Sequence, residues 1–201
     1  MSEQYLALIP AAGVGSRAKL KMAKQFTAIG SKTIIEYALD PFLLDDNCKK
    51  ICVVTQEDNE AWTSLSISGH EKIVSCIGGD TRMESVLKGL EMLMESEDKG
   101  SLVAIHDAAR PCLSNEDLKK IMDFANEEMK DEGHGVFLAH QPSESVNLGD
   151  KNKVTKSLDR SKIWLSATPQ VFFLEDILKA LESAKEDENF FSDEVGAAFT
   201  F

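Results

Sequence analysis

The sequence predicts an α/β protein with a mainly parallel sheet and helices on both faces. Short apolar runs that end in turn residues recur along the first half of the chain, and such runs are typical of buried strands. Segments with helical apolar spacing lie between them. Strand–helix–strand units cross over with a right hand, so the strands run parallel and ligands bind beyond their carboxyl ends.

The elements follow in order along the chain. The run at residues 5–10 is short, apolar and followed by a glycine-containing turn, which predicts a buried strand that leads into a loop. Similar runs predict strands at residues 50–55, 72–77 and 101–106, and helical spacing predicts helices at residues 33–44, 83–94 and 118–129.

The pattern changes in the second half. Residues 136–139 form a further apolar run, and residues 141–161 are polar, with Gly149 and Asp150 between two extended segments. We therefore expect a β-hairpin arm at 141–161 that packs on a second subunit. A helix is predicted at 174–185, and the polar groups at 157–160, 167–170 and 192–194 are expected to lie in loops.

Composition limits the function classes. The chain has 201 residues, with 22 Lys and Arg against 34 Asp and Glu, and its net charge is −12. A charge of this sign disfavours general binding to nucleic acid, but it leaves room for a small anionic ligand where basic residues cluster. We expect one domain over residues 1–201 in the cytoplasm, because neither a signal peptide nor a membrane span is evident. The four cysteines form no CxxC pair.

The loop after the first strand is a candidate phosphate site. Gly13 and Gly15 allow close approach of the backbone to a ligand, and four basic residues follow within eight positions: Arg17, Lys19, Lys21 and Lys24. A triphosphate fits this pattern, although glycines that only form a turn and lysines that are only solvated would look the same. A P-loop is excluded because GxxxxGK[ST] is missing, and a dinucleotide site is disfavoured because the next acidic residues come too late.

Two further strand ends carry polar clusters. Gly79 and Asp80 precede a helix that bears Ser85, an arrangement that suits a ligand at a helix N-terminus or a simple N-cap. Asp107 follows the fourth strand, where one carboxylate can hold Mg²⁺ together with phosphate oxygens. Arg110 offers a fork for a phosphate, or an ion pair with Asp107. His106 is interpreted as a packed, hydrogen-bonded residue.

These motifs together resemble the 2-C-methyl-D-erythritol 4-phosphate cytidylyltransferase family of the non-mevalonate isoprenoid pathway. The ordered set is specific because unrelated turns and caps have no reason to follow this order. The matching segments are Pro10-Ala-Ala-Gly-Val-Gly-Ser-Arg17, Lys24-Gln25, Gly78-Gly79-Asp80-x-Arg82-x-x-Ser85-Val86, His106-Asp-Ala-Ala-Arg-Pro111, Asp159-Arg160, Thr168-Pro-Gln170 and Ser192-Asp-Glu194.

The resemblance implies a Rossmann-like nucleotidyltransferase fold, a three-layer sandwich, with a protruding β-arm that makes a homodimer. It also implies Mg²⁺-dependent use of CTP and a polyol phosphate. Arg17 and Lys24 would be catalytic, and Asp107 would hold the metal. The implied nucleotide contacts are Ala11, Ala12, Gly13, Gly15, Gly79, Asp80, Ser85 and Ala108, and the implied contacts to the polyol phosphate are Arg110, Ser145, Arg160, Thr168 and Ser192, with Ser145 and Arg160 from the partner subunit.

The sequence also departs from the family pattern. Ala23 stands where proline usually precedes the catalytic lysine, Ser192 replaces threonine, and Asn147 in the arm replaces a lysine. Family chains continue past the region of Phe201 into an Asn-x-Lys segment, so we expect either a piece of a longer product or a shortened enzyme. Two alternatives stay open: transfer to ribitol 5-phosphate or a related polyol phosphate, and an inactive nucleotide-binding dimer.

Overall fold

A six-stranded sheet forms the centre of the molecule. The structure is a computed structural model that describes residues 4–13, 23–129, 135–186, 191 and 193–200. The first four strands in spatial order are parallel, and the fifth runs antiparallel to both of its neighbours. From edge to edge the strands are Ile73–Ile77 (β5), Cys48–Thr55 (β4), Tyr5–Pro10 (β1), Leu102–Ile105 (β6), Leu165–Phe173 (β10) and Val136–His140 (β7).

Helices cover both faces of this sheet, as the alternating pattern predicts. On one face, side chains such as Ile35, Phe42 and Met122 pack against the strands, and on the other face Leu90 and Ile177 do so. The first face carries Ile34–Leu44 (α1), Glu60–Thr63 (α2) and Asn115–Glu128 (α4), and the second carries Arg82–Ser96 (α3), Leu174–Glu186 (α5) and Glu194–Thr200 (α6). None of the helices among the described residues has the length and apolar character needed to cross a membrane.

Two segments that were expected to be loops are regular structure. Thr168 and Gln170 lie inside β10, where Gln170 pairs with Ile105 of β6. Both side chains are buried and hydrogen-bonded, which allows polar residues to lie inside a sheet. Because they are polar, the apolar pattern that predicts a strand is missing from this segment. Glu194 likewise begins α6 rather than ending a loop.

A separate hairpin confirms the predicted arm. Val146–Asp150 (β8) pairs antiparallel with Lys153–Leu158 (β9), and neither strand joins the central sheet. At its base the Gln141 amide donates to the Ser161 carbonyl oxygen at 2.7 Å. A smaller hairpin, Ala28–Ile29 (β2) with Lys32–Thr33 (β3), precedes α1.

Candidate active site

The loop after β1 is fixed by a buried glutamine. The Gln25 amide nitrogen donates to the carbonyl oxygens of Ala11 at 2.6 Å and Gly13 at 3.0 Å. Ala11 also donates its backbone N–H to Val54 at 2.7 Å, which ties the loop to β4. Lys24, next to Gln25, is exposed. The glutamine therefore sets the point at which the chain returns to the sheet edge and the position from which Lys24 extends. Gly15 and Arg17 lie outside the described residues.

A second loop packs directly against the first. A Cβ atom added to Gly78 would lie 2.6 Å from the Cβ of Ala12, and one added to Gly79 would lie 2.4 Å from the Cβ of Glu84. These distances are too short for any side chain, so the sequence needs glycine at both positions. The two loops thus approach each other closely at the edge of the sheet.

Ser85, on α3, fixes the conformation of the second loop by hydrogen bonds to its backbone. Its buried hydroxyl donates to the Thr81 carbonyl oxygen at 2.9 Å and accepts from the Gly79 N–H at 3.2 Å. Thr81 caps α3, with Glu84 completing a capping box. Asp80 remains exposed. Ser85 therefore shapes the loop through Gly79, whereas Asp80 presents its carboxylate to solvent.

Four charged side chains meet beyond β6. Arg82 binds Glu194 through both terminal nitrogens, at 2.6 and 3.0 Å, and Asp107 Oδ1 through Nη2 at 3.0 Å. Arg110 Nε donates to the other oxygen of Asp107 at 2.8 Å. Both oxygens of Asp107 are thus engaged by guanidinium groups, so the ion pair foreseen between Asp107 and Arg110 is present and Arg82 joins it.

Burial and charge oppose each other in this cluster. Burial disfavours the carboxylate form of Asp107, but Arg82 and Arg110 outweigh it and hold the pKa of Asp107 below its usual value. Burial raises the pKa of Glu194, whose side chain is only 1% exposed, and Arg82 opposes that rise. Burial likewise works against the charge of Arg82, but its two carboxylate partners keep its pKa above the ordinary value.

A buried histidine connects this cluster to β10. His106 Nε2 lies 3.0 Å from the Arg110 carbonyl oxygen, which can only accept, so Nε2 carries the proton. Nδ1 therefore accepts from the Thr168 hydroxyl at 2.9 Å, and Thr168 Oγ1 accepts from the Asp107 N–H at 3.3 Å. Burial lowers the pKa of His106 to about 4, which keeps the ring neutral. His106 is thus a packed, hydrogen-bonded residue, as predicted.

The start of α6 is attached to β10 by a third set of contacts. Gln170 Nε2 donates to Asp193 at 3.1 Å, and Gln170 Oε1 accepts from the Val195 N–H at 3.2 Å. Arg82 adds its bond to Glu194. The helix that follows the serine-containing motif is therefore held to the edge by side chains from β10 and α3. Ser192 itself lies outside the described residues.

The remaining predicted residues are divided between the edge and the arm. Ala108 is buried beside Asp107. Ser145 is exposed, and Arg160 Nη1 donates to the Ser143 carbonyl oxygen at the base of the arm. In the ranges that the structure covers, no hydrogen bond or ion pair links Ser145 or Arg160 to the Asp107 cluster. Among the described residues, a single chain therefore brings the residues at the sheet edge together and leaves the two arm residues apart from them.

The cluster offers one carboxylate to a cation. No group of three His, Cys, Asp or Glu side chains among the described residues could hold a metal ion by itself. Asp107 is ionised and stands at a strand end, and Mg²⁺ needs only one or two carboxylates when substrate phosphates complete its shell. Asp107 therefore fits a magnesium ion that arrives with a nucleotide, because its oxygens keep lone pairs beside their contacts with the arginines.

Sequence reasoning did not assign roles to Arg82 and Gln25. Both lie inside recognised motifs, but nothing in the spacing shows that Arg82 joins Asp107 to Glu194, which are 87 positions apart in the chain. A buried glutamine that bonds two loop carbonyls is equally invisible before the loop is folded. Their positions beside the predicted ligands were the available signal.

Comparison with known proteins indicates one family. Residues 5–199 match the model of the family described as 2-C-methyl-D-erythritol 4-phosphate cytidylyltransferase. A protein of that name from Actinobacillus pleuropneumoniae is 34% identical over 98% of this chain and 83% of its own length. Its counterpart from Buchnera aphidicola is 34% identical over 96% of this chain and 79% of its own. The crystal structure of the Francisella tularensis protein of that name, 30% identical, superposes with a TM-score of 0.83 over 99% of this chain and 87% of its own.

Proposed function

The chain belongs to the 2-C-methyl-D-erythritol 4-phosphate cytidylyltransferase family, and on that premise we propose that it transfers CMP from CTP to 2-C-methyl-D-erythritol 4-phosphate. Pyrophosphate is the second product, and the reaction belongs to isoprenoid precursor synthesis. The observation that carries the proposal is the meeting of Asp107 with Arg82 and Arg110 beside two close-packed glycine loops. This edge combines cations for phosphates with backbone that a nucleotide can approach.

The chemistry requires positioning and charge rather than a base. An oxygen of the polyol phosphate attacks the α-phosphorus of CTP, and the bond to the β-phosphate oxygen breaks. The second pKa of a phosphate monoester is near 6, so the nucleophile is already dianionic at neutral pH. In keeping with this, His106 has no role as a base, because both of its ring nitrogens are occupied by hydrogen bonds.

The proposed roles at the nucleotide follow from the family pattern together with the positions of the described residues. Arg17 and Lys24 stabilise the charge that develops on the α-phosphate and the leaving pyrophosphate. The backbone of residues 11–15 surrounds the triphosphate, and Asp80 contacts the cytidine from its exposed position. Gly79 and Ser85 act together, since the serine hydroxyl sets the orientation of the Gly79 peptide.

The proposed roles at the polyol phosphate depend on the donors and acceptors that each side chain still has available. Arg110 is half exposed and its fork suits a phosphate. Thr168 already donates its proton to His106, so it contacts the substrate only by accepting from a hydroxyl group. Ser192 belongs to the same sequence motif as Glu194, which Arg82 binds. The Thr168 hydroxyl thus distinguishes the polyol end of the substrate from its phosphate.

We propose that Asp107 holds Mg²⁺ when CTP binds. The ion supplies positive charge to the phosphate oxygens at the site of transfer. Each oxygen of Asp107 accepts from a guanidinium, so the carboxylate would hold the cation through its remaining lone pairs. Arg110 is more exposed than Arg82 and has no second carboxylate partner among the described side chains. Arg110 is therefore the arginine more available to the polyol phosphate.

We propose a cytoplasmic homodimer formed through the arm. The hairpin presents Leu148 and Val154 to solvent, 51% and 69% exposed, on a two-stranded sheet that pairs with no other strand of the described chain. An isolated two-stranded hairpin is marginally stable in water, so a partner surface would explain its persistence. Ser145 and Arg160 would then reach the active site of the partner subunit, which accounts for their separation from Asp107 within one chain.

The test is pyrophosphate release by the purified protein with CTP, Mg²⁺ and 2-C-methyl-D-erythritol 4-phosphate. ATP in place of CTP, and ribitol 5-phosphate in place of the methylerythritol substrate, are the matched controls. We expect release only with the first combination. Equal release with ribitol 5-phosphate would contradict specificity for 2-C-methyl-D-erythritol 4-phosphate and would favour ribitol 5-phosphate or a related polyol phosphate as the substrate. CTP binding without release would contradict the transferase activity and favour a nucleotide-binding dimer.

A further inference from the structure

A second cleft lies at the opposite end of the sheet. It has a volume of about 230 Å³ and lies between α4 and the region where α1 ends and β1 begins. Pro41, Leu118 and Met122 give it an apolar side. Since β1 has six residues, its two ends lie roughly 17 Å apart, and no residue that we assign to cytidylyl transfer lines this cleft.

The cleft contains an amide without a hydrogen-bond partner. Both polar atoms of the Asn126 side chain are buried, and neither forms a hydrogen bond in the part of the chain that the structure describes. Asn126 stands four and eight positions after Met122 and Leu118, so it continues the stripe of α4 that faces the cleft. A buried amide with no partner is costly, and native proteins keep few of them.

The phenol and the charged groups of the cleft are already paired. The Tyr5 hydroxyl donates to Asp45 at 2.8 Å, and Lys119 forms an ion pair with Asp123 at 2.6 Å. The Asn47 amide also donates to Asp45, at 3.2 Å, and Asn115 is exposed to water. Asn126 is thus the buried amide of this surface whose donor and acceptor have no partner among the described residues.

We propose that this cleft binds a flat, uncharged heterocycle that carries a hydrogen-bond donor and an acceptor side by side, as adenine does. A carboxamide pairs with such an edge through two parallel hydrogen bonds, the way asparagine recognises the N6 and N7 atoms of adenine. The volume suits a single base, and Leu118 and Met122 offer apolar contact to a ring. The two carboxylates against one ammonium in the cleft disfavour an anionic ligand, so a free base or a nucleoside fits better than a nucleotide.

A ligand reaches Asn126 only when a neighbouring side chain moves, because the polar atoms of Asn126 have no exposed area. Lys119 lies seven positions, or two turns, earlier on α4, lines the same cleft, and has a side chain that is 74% exposed. Its ion pair with Asp123 is a surface pair, and such pairs contribute little stability. We therefore take Lys119 as the lining side chain that moves most easily.

The test is adenine binding to the full chain, measured by calorimetry and by the shift in thermal midpoint. Adenine is compared with purine, which lacks the amino donor. We expect saturable binding of adenine, binding of purine at least about tenfold weaker, and loss of adenine binding in Asn126→Leu. In the matched variant Asn152→Leu, on the exposed turn of the arm, adenine should bind as in the parent protein.

Stability gives an independent readout. Without ligand, Asn126→Leu should raise the thermal midpoint, because the change removes a buried amide that has no partner. Absence of saturable adenine binding, equal affinity for adenine and purine, or unchanged adenine binding in Asn126→Leu would each overturn the proposal. If Asn126→Leu fails to fold, the comparison of adenine with purine on the parent protein still decides it.

Discussion

The sheet edge and the arm hold polar residues of the same kinds in opposite circumstances. At the edge, Thr168 is buried and Arg82 partly buried, and both are bonded to other side chains. In the arm, Arg160 and Ser145 are exposed, and Arg160 bonds to a carbonyl oxygen among the described residues. Arg82, Thr168 and Arg160 all belong to the matching motifs, so motif membership alone does not separate a residue that shapes a site from one that remains available to a ligand.

The difference separates two roles. A buried polar group must be satisfied by the protein itself, because an unpaired one is costly, and it then acts mainly by holding its neighbours in place. An exposed polar group keeps its hydrogen-bonding capacity for a ligand or a second subunit. Substitution of buried and of exposed polar residues should therefore affect stability and turnover differently.

The largest effect is expected at Lys24, an exposed cation beside the first loop. Lys24→Ala should slow turnover by about two to four orders of magnitude, since in the proposed mechanism the lysine ammonium stabilises charge on the transferring phosphate. The fold should persist, because Lys24 is exposed and its side chain forms no hydrogen bond or ion pair within the described chain. Initial rates of pyrophosphate release and a thermal unfolding curve measure the two properties. Lys99→Ala is the control, because Lys99 is exposed and lies before the start of β6. Its turnover and thermal midpoint should match those of the parent protein.

Arg82 should show the reverse pattern, with a large loss of stability. Arg82→Gln leaves Glu194, 1% exposed, without its guanidinium and should reduce the free energy of unfolding by about 3 kcal/mol. Arg160→Gln is the same substitution at an exposed arm position, and its effect should stay within about 0.5 kcal/mol. Urea unfolding of both variants measures the difference. Equal effects would show that the network at the edge contributes no more than a surface arginine.

The sequence predicted the apolar elements of the fold better than the contacts of its buried polar residues. Strands such as β1 and helices such as α3 were predicted because apolar periodicity reports burial directly. The strand that contains Thr168 was missed, because its buried side chains are polar and break that periodicity. Candidate ligand groups could be identified from motifs, but the link from Arg82 to Glu194 joins distant parts of the chain and depends on the packing of α6.

The pH dependence of stability tests the role of a buried polar residue, His106. Burial lowers its pKa from 6.5 to about 4, so between these values the unfolded chain binds a proton that the folded protein does not. This contribution to stability is complete above pH 6.5 and is lost as the pH falls toward 4, by about 3 kcal/mol in total. In His106→Gln, which cannot titrate, the fall over this window should be smaller by that amount. Urea unfolding at several pH values measures it, and parallel curves for the two proteins would contradict a neutral buried histidine.

The smallest expected effect concerns two hydroxyl groups. Thr168→Val keeps the shape of the side chain but leaves His106 Nδ1 and the Asp107 N–H without a partner, which should cost about 1–3 kcal/mol of stability. Ser145→Ala removes an exposed hydroxyl and should change stability by less than about 0.5 kcal/mol. The kinetic effects separate the roles further. Ser145→Ala should raise KM for the polyol phosphate in a dimer whose arm reaches the partner's site, and it should leave the fold intact. A stability loss in Ser145→Ala as large as that in Thr168→Val would mean that burial does not determine how much a polar side chain contributes to the fold.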